Sequence, residues 1–486
     1  MAKEEKKRLT PLETLVMDAI WDKPDTSVRD VQETLVQAKP MAYNTVLTVM
    51  RILRDKGFLS SRRQGRMDLY SATVEREQVA RRSVRDVLDG FFSGSSAALV
   101  SELLDSDELS DDDLKAIREK TDGLLKDRFG YGQTEAKVFD YFKSEASDSG
   151  DLPVLGITMG DVCGVGPEII AKAFDLEDLY ILCRPLVIGD VYAMENACKT
   201  VGAKLKIKAI DSPLNAEFEP GIVEVINPLF LESDSWEKGH VSLDAGRAAA
   251  EWVIEAVKLA MAEEIDGIVT APLNKEAMNL AGYTYPGHTE LLAEQAGGHD
   301  VRLMLASPRM SVVHVTGHMA LHEVSECLTQ KRVYDTIAMT HDALVKLGKT
   351  TPRLAVTGLN PHAGENGLFG EEDGLVIRPA VEQGRDQGWE IDGPLPADAT
   401  YFKAYDGQYD GVVAMYHDQG HAPMKLVAFD TAVNVTLGLP IIRTSVDHGT
   451  AFDIAGTGVA KEQNLIYAVG VGAKLAIGRK NALAES

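Results

Sequence analysis

The chain has 486 residues, 45% hydrophobic and 26% charged, an ordinary globular composition long enough for two or three domains. Its net charge of −24 excludes a protein that wraps nucleic acid over its whole surface, and no apolar run approaches the ~18 residues of a membrane helix. The opening MAKEEKKRLT lacks the apolar stretch of a secretory signal, and its four cysteines form no CxxC pair or disulfide framework, so a reduced cytoplasmic setting is expected, with no membrane partner.

The charge is uneven. Residues 1–85 carry 17 Lys+Arg against 12 Asp+Glu, a mildly basic module ahead of a strongly acidic body. Thr10-Pro11-Leu12-Glu13 has the form of a capped helix start, followed by apolar residues at helical spacing. Ser27 and Asp30 open a second helix. A third spans about 42–56, with Val46, Val49, Met50 and Leu53 inward and Gly57 as the stop. Residues 58–70 read as strand, Gln64-Gly65 turn, strand, with Arg62, Arg63 and Arg66 crowding the turn. Three short helices and a basic hairpin predict a winged-helix (α+β) domain over 1–80. Its third helix would enter a major groove, with Tyr43, Asn44, Thr45 and Thr48 facing bases or phosphates and the three arginines taking phosphates. A helical domain with a solvated basic hairpin has the same pattern.

The segments LTPLETLVMDAIW, SVRDVQETL, AYNTVLTVMRILRDKGFL and GRMDLYSATVEREQVARRSVRDVLDGFF resemble the penicillinase-repressor family (BlaI/MecI/CopY) over about residues 8–125. The resemblance implies duplex DNA as a partner and a helical dimerisation region over 81–126. The copper-responsive branch carries cysteine pairs that this module lacks, so copper sensing is not expected. Residues 127–151 turn rich in Ser, Asp and Gly and read as a linker with one short helix near 133–144.

From 152 onward, β-type runs alternate with helical stretches. The clearest strands are 154–159, 186–189, 267–270, 312–316, 354–358 and 412–416, which predicts an α/β domain with a largely parallel sheet over 152–486. Ligands in such sheets bind beyond the carboxyl ends of the strands. Gly160, Gly164 and Gly166 follow the first strand, either as a weak anion cradle or as a tight turn. His318, His362 and His417 each stand just after a different β run, a pattern that favours a divalent metal (Zn, Co or Mg), with imidazole suiting the first two better. His314, His322 and His421 are expected behind them, and His240, His299 and His341 on the surface. His288, Thr289, Asp398, Lys425, Asn434 and Arg443 complete a polar set suited to a phosphorylated, carboxylated small molecule.

The motifs VLGITMGDVCGVGPEI, TAPLNKE, YPGHTE, NPHAGENG, MYHDQGHAPMK and IRTSVDHGTAFDIAGTG resemble the 4-hydroxythreonine-4-phosphate dehydrogenase family of vitamin B6 synthesis over about 152–480. The resemblance implies a two-lobed α/β/α fold like that of isocitrate and isopropylmalate dehydrogenases, a homodimer, NAD as cofactor, and oxidation with decarboxylation of a 4-phosphorylated 3-hydroxy acid. It implies His318, His362 and His417 as metal ligands. It also implies His288, Thr289, Lys425, Asn434 and Arg443 as substrate contacts, Lys425 or Asp398 as proton carrier, and His448, Gly449 and Asp453 as cofactor contacts. The first turn reads GDVCG where the family usually has GDPAG, and NPHAGENGLFGEED and MYHDQGHAPMK are closer to the subfamily acting on 4-phospho-D-threonate or 4-phospho-D-erythronate. Two other organisations remain open: an enzyme whose N-terminal module only dimerises, and a repressor whose enzyme half is a metabolite sensor.

Overall fold

The computed structural model describes residues 9–36, 40–65, 67–92, 99, 139, 141–142, 152–232, 236–298 and 300–485. Arg66, His299 and the helix expected near 110–125 lie outside the described residues, as does most of the stretch read as linker. The chain divides into two compact units, 1–129 and 130–486.

In the first unit, α1 (Pro11–Asp22) and α2 (Val28–Leu35) start on the two capping boxes legible in the sequence, Thr10 with Glu13 and Ser27 with Asp30. Between them lies the short strand β1 (Thr26–Ser27), and after them come α3 (Tyr43–Asp55), β2 (Leu59–Gln64), β3 (Met67–Ala72) and α4 (Arg76–Phe91). The strands form an antiparallel sheet in the order β1-β3-β2. One face of α3, Val46, Val49, Met50 and Leu53, is buried against Val16, Met17, Ile20 and Val31. That burial leaves Tyr43, Asn44, Thr45 and Thr48 on the exposed face. Lys56 closes the α3 end against Glu13 at 2.7 Å, and Trp21 donates its indole N–H to the Val74 carbonyl at 2.8 Å.

The second unit is built on one twelve-stranded sheet. In chain order its strands are β4 (Val154–Thr158), β5 (Arg184–Ile188), β6 (Lys206–Ile210), β7 (Ile222–Ile226), β8 (Gly267–Thr270), β9 (Arg302–Ala306), β10 (Ser311–His314), β11 (Arg353–Thr357), β12 (Glu390–Leu395), β13 (Gly411–Ala414), β14 (Val433–Leu437) and β15 (Arg443–Ser445). They are arranged β12-β11-β13-β10-β9-β14-β15-β8-β4-β5-β7-β6. Each flank of that order is parallel, as expected. The expectation of a largely parallel sheet missed the middle, where β9 runs antiparallel to both β10 and β14, and β14 antiparallel to β15. A seam therefore joins two parallel half-sheets. The helices cover the faces: α5 (Gly166–Phe174), α6 (Val191–Val201), α7 (Leu243–Met261), α8 (Lys275–Leu280), α9 (His288–Ala296), α10 (Gln330–Lys346), α11 (Arg378–Asp386), α12 (Ala397–Tyr405), α13 (His417–Ala428) and α14 (Gln463–Glu485).

Phe139 and Phe142, inside the stretch read as linker, belong to the core of this second unit at 2% and 3% exposure. Phe142 lies over Gly470 of α14, where any side chain would strike its ring, and Lys474 sits over the same ring at 5.1 Å.

A close approach of the same kind seats α8. Gly246 of α7 packs directly on the backbone of Ala277, with no room for a Cβ. Substituting Gly246→Ala should therefore destabilise the unit by about 1–3 kcal/mol through overpacking. It should also reduce activity by displacing Lys275 at the head of α8. Thermal melting and turnover of the variant test both effects, and an unchanged melting temperature would contradict the packing.

Candidate active site at the strand ends

Polar residues gather where the strands of both half-sheets end. His314 closes β10, His318 lies four residues on, and His417 opens α13 just after β13. With His421 one helical turn later, they make a row of four imidazoles. Ring centroids are 4.9 Å apart for His318 and His417, 4.0 Å for His417 and His421, and 5.0 Å for His421 and His314. Burial pushes His314 down to about 3 and His421 down to about 4, and it lowers His318, with the neighbouring imidazoles adding to each shift. These three rings are neutral at physiological pH, the form that ligates metals. Asp418 accepts a hydrogen bond from Nδ1 of His417 at 2.7 Å, which orients that ring and leaves Nε2 available.

Beside the row stands a set of basic and polar side chains of the kind that suits a phosphate or carboxylate. Arg443 of β15 is 3% exposed, and its guanidinium donates to Thr436 at 3.0 Å and Thr270 at 2.7 Å. Burial lowers its pKa to about 10, still a cation at neutral pH, and its Nε is buried without a partner. His288 opens α9 and is held well below its usual pKa by burial, with the charges of Arg443 and Lys275 acting the same way; its Nε2 is also buried without a partner. Thr289 follows it, half-buried. Lys425 pairs with the Asp447 carboxylate and donates to the Asp447 carbonyl at 2.9 Å, and Asn434 donates to the same carboxylate at 3.1 Å. A buried guanidinium with an unpartnered Nε, beside an imidazole with an unpartnered Nε2, suits an anionic ligand.

The structure does not gather every expected residue. His362 lies on a turn, 361–367, in which residues 362–366 all have positive φ. This left-handed run is held by the buried Asp373 carboxylate, which accepts from the backbone of Leu359 at 2.9 Å and of Asn360 at 3.2 Å. α12 packs against the same turn, and Asp398 in its first turn accepts from Ala399 at 2.9 Å. Asp398 thus stands on a helix that packs against the turn of His362. Among the described residues no three His, Cys, Asp or Glu side chains are close enough to hold a metal ion within one chain. His318 and His417 supply two imidazoles with free nitrogens, a donor set that fits a borderline-soft divalent cation but needs completion.

The loop carrying His448, Gly449 and Asp453 is tied down by a buried carboxylate. Glu168 accepts from Gly456 and, at 2.9 Å, from Gly458, and it faces Lys238 at 3.7 Å. His448, Gly449 and Asp453 themselves are exposed. The glycine-rich turn packs against this loop: Val165 donates to Thr450 at 3.0 Å, and a Cβ on Gly164 would meet the Thr450 oxygen at 2.7 Å. Its glycines serve close backbone approach, the tight-turn alternative. His240 and His322 are exposed, as expected for a surface site in the first case. His341 is not a free surface residue, since it stacks on Trp389 at 4.7 Å and burial lowers its pKa. Sequence reasoning missed Asp447, Glu290, Glu168, Lys238 and Asp373. Only Asp447, beside His448 in SVDHG, carried a positional signal.

In the first unit, Tyr43, Asn44, Thr45, Thr48, Arg62 and Arg63 are all exposed. Arg62 is already engaged, paired with Asp25 at 2.9 Å. An exposed pair of this kind is worth only ~0–1 kcal/mol, so a phosphate can displace it.

The chain thus joins a small helical and β unit to an α/β unit that carries the polar site. Residues 181–472 match the family model described as pyridoxal phosphate biosynthetic protein PdxA, and residues 9–123 match that of the penicillinase repressor. The chain belongs to the PdxA family. It is 49% identical over 330 residues to a D-threonate 4-phosphate dehydrogenase of Cupriavidus necator, covering 68% of this chain and 98% of that one. It is 45% identical to a 4-hydroxythreonine-4-phosphate dehydrogenase of Desulforapulum autotrophicum, covering 65% and 94%. A solved 4-hydroxythreonine-4-phosphate dehydrogenase from Burkholderia phymatum superposes with a TM-score of 0.61 at 47% identity, covering 67% and 98%. Among the described residues no helix is long and apolar enough to cross a membrane.

Asp161 in the glycine-rich turn gives a pH-dependent test. Its Oδ1 accepts from Cys163 at 2.8 Å, its Oδ2 is buried without a partner, and burial raises its pKa from 3.8 to about 6. The folded state therefore binds the proton more tightly than the unfolded state. Stability is lost as pH rises from about 4 through 6, by an amount on the order of 3 kcal/mol. Asp161→Asn keeps an acceptor and removes the charge. It should raise the melting temperature at pH 7.5 while leaving it nearly unchanged at pH 4. An equal effect at both pH values would refute the assignment.

Proposed function

We propose that the second unit is an NAD-dependent, divalent-metal-dependent oxidative decarboxylase of a 4-phosphorylated 3-hydroxy acid, with an α/β/α fold of the isocitrate and isopropylmalate dehydrogenase type. The observation that carries this reading is the row of neutral imidazoles next to a buried arginine and the set of Lys425, Asn434 and Asp447. 4-Phospho-D-threonate is the favoured substrate, because relatives bearing that activity in their names include the one at 49% identity and because of the motif MYHDQGHAPMK. 4-Hydroxythreonine-4-phosphate is the second reading, supported by relatives at 45% identity.

Arg443, with His288 and Thr289, holds the phosphate or carboxylate. Lys425 and Asn434, fixed by Asp447, hold the oxygen functions of the carbon chain. A divalent cation at His318 and His417 would lower the pKa of the C3 hydroxyl. His448, Gly449 and Asp453 on the loop 448–458 would hold NAD, which would supply the acceptor for the hydride leaving C3. The resulting 3-keto acid loses its carboxylate as carbon dioxide, and its electrons move onto the C3 oxygen. Lys425 then delivers a proton to C2 of the enolate. Asp398, in the first turn of α12, is the alternative proton carrier.

Two imidazoles leave the cation site incomplete, and His362 is its natural completion in the homodimer that the family resemblance implies. Mixing inactive His318→Ala chains with inactive His362→Ala chains should restore about a quarter of wild-type turnover, because half the random dimers carry one intact site of two. Chelation should abolish turnover of the parent. No recovery on mixing would refute a site shared between subunits.

The first unit is proposed to be a winged-helix DNA-binding domain, with helices beyond it dimerising. The bare polar face of α3 supports this reading against a module that only dimerises, and the assembled substrate site speaks against a purely sensory enzyme half. Binding to a palindromic duplex should weaken steeply with salt. Replacing Arg62, Arg63 and Arg66 together by Ala should flatten the salt slope by about 3 on a log–log plot, whereas Asn44→Ala or Thr48→Ala should relax sequence discrimination. Fluorescence anisotropy across a salt series measures both, and an unchanged slope would count against the hairpin contacts.

A further inference from the structure

The three histidines singled out in the sequence leave three strands that are neighbours in the sheet. His362 follows β11, His417 follows β13 and His318 follows β10, and the strands lie in the order β11-β13-β10. One side chain fastens these ends together. Gln419, half-buried in the first turn of α13, accepts at Oε1 from the Met415 backbone N–H at 2.7 Å and from the Thr357 hydroxyl at 2.9 Å. Its Nε2 donates to the Gly358 carbonyl at 2.7 Å. A main-chain N–H can only donate and a main-chain carbonyl can only accept, so these partners fix which way the amide faces. The Met415 carbonyl in turn takes the Thr316 backbone N–H at 3.2 Å and the Thr316 hydroxyl at 2.8 Å. Met415 is thus held from both sides, by Gln419 anchored on the end of β11 and by Thr316 just past β10. Gly420, next along, lies so close to His314 and Val312 that no Cβ fits, which seats the head of α13 on β10 as well. A glutamine at the third position of a helix ordinarily does less: it reaches back to one free N–H and caps the helix. The bonds to Thr357 and Gly358, 62 and 61 residues away, are no part of a cap.

We propose that Gln419 is the positioning residue of the cation site: it sets the spacing between the end of β13, which carries His417, and the end of β11, which leads into the turn of His362. The inference rests on the proposed metal-dependent reading and deepens it, because a site that draws imidazoles from different strands needs their ends held at a fixed separation. In the homodimer proposed above, the same spacing sets where each chain presents His362 to its partner.

The test is binding of cobalt(II) alone to the full chain, read by equilibrium dialysis and by the visible absorption of the bound ion, beside the melting temperature of each metal-free protein. Gln419→Glu is the decisive variant. Its carboxylate keeps the acceptor for Met415 and adds a negative charge at a helix start, so a plain capping role predicts unchanged stability, and charge alone predicts tighter cation binding. Positioning predicts the opposite for the cation: a carboxylate oxygen against the Gly358 carbonyl drives the strand ends apart, and cobalt affinity falls by about 10–100-fold with a changed spectrum. Gln419→Met, similar in length and uncharged, should show a loss of the same order, and it decides the matter should the Glu variant not fold. Unchanged affinity in a folded variant, tighter binding by the Glu variant, or a loss confined to variants whose metal-free melting temperature collapses would overturn the role of Gln419 and leave the cation site standing. A parent chain that binds no cobalt, or binds it no better than His417→Ala, would overturn the metal-dependent reading and this inference with it.

Discussion

The antiparallel seam of β9 and β14 is the constraint on which the second unit depends. A single parallel sheet would align all its strand ends along one edge. The seam reverses the direction of one half-sheet relative to the other, yet residues that follow β8 lie close enough to act on His318, which follows β10. The influence of Lys275 and Glu290 on His318 shows that the two sets share one electrostatic environment. Seam residues are accordingly among the most buried in the unit, with Met304 and Leu305 fully enclosed and Arg302 tied to Thr336 and Asp300.

Burial then sets the chemistry. The same desolvation that strips the proton from His314, His318 and His421 leaves Arg443 charged, because a guanidinium begins so far above neutral pH that the drop to about 10 does not discharge it. One apolar setting thus yields neutral ligands and a permanent cation side by side. Replacing Arg443 by lysine would not preserve this arrangement, since an ammonium loses charge on burial far more readily and cannot span Thr436 and Thr270 together.

Much of this was legible in the sequence where local rules decide. The two capping boxes, the apolar face of α3 and the clearest strands follow from spacing alone, and the polar residues at strand ends follow from the α/β pattern. The seam was not legible, because β9 and β14 are short apolar runs whose direction is fixed only by pairing partners distant in sequence. Glu168 was also hidden: its role depends on a loop folding back over 290 residues, and nothing at its own position distinguishes it from a surface acid. The left-handed run at His362 escaped for the opposite reason. It is local, but non-glycine residues at positive φ have no sequence signature and persist only because Asp373 grips the turn.

The seating of Phe139 and Phe142 separates two boundaries that are usually taken as one. The matched family model begins at residue 181, yet the folded core of the second unit includes Phe139. A chain cut where homology begins would leave an apolar trough along α14, with Gly470 at its floor and Lys474 deprived of the two rings it covers. Phe139 and Phe142 have therefore become part of the second unit's core. The second unit's core thus has an anchor on the N-terminal side of its first strand, at Phe139.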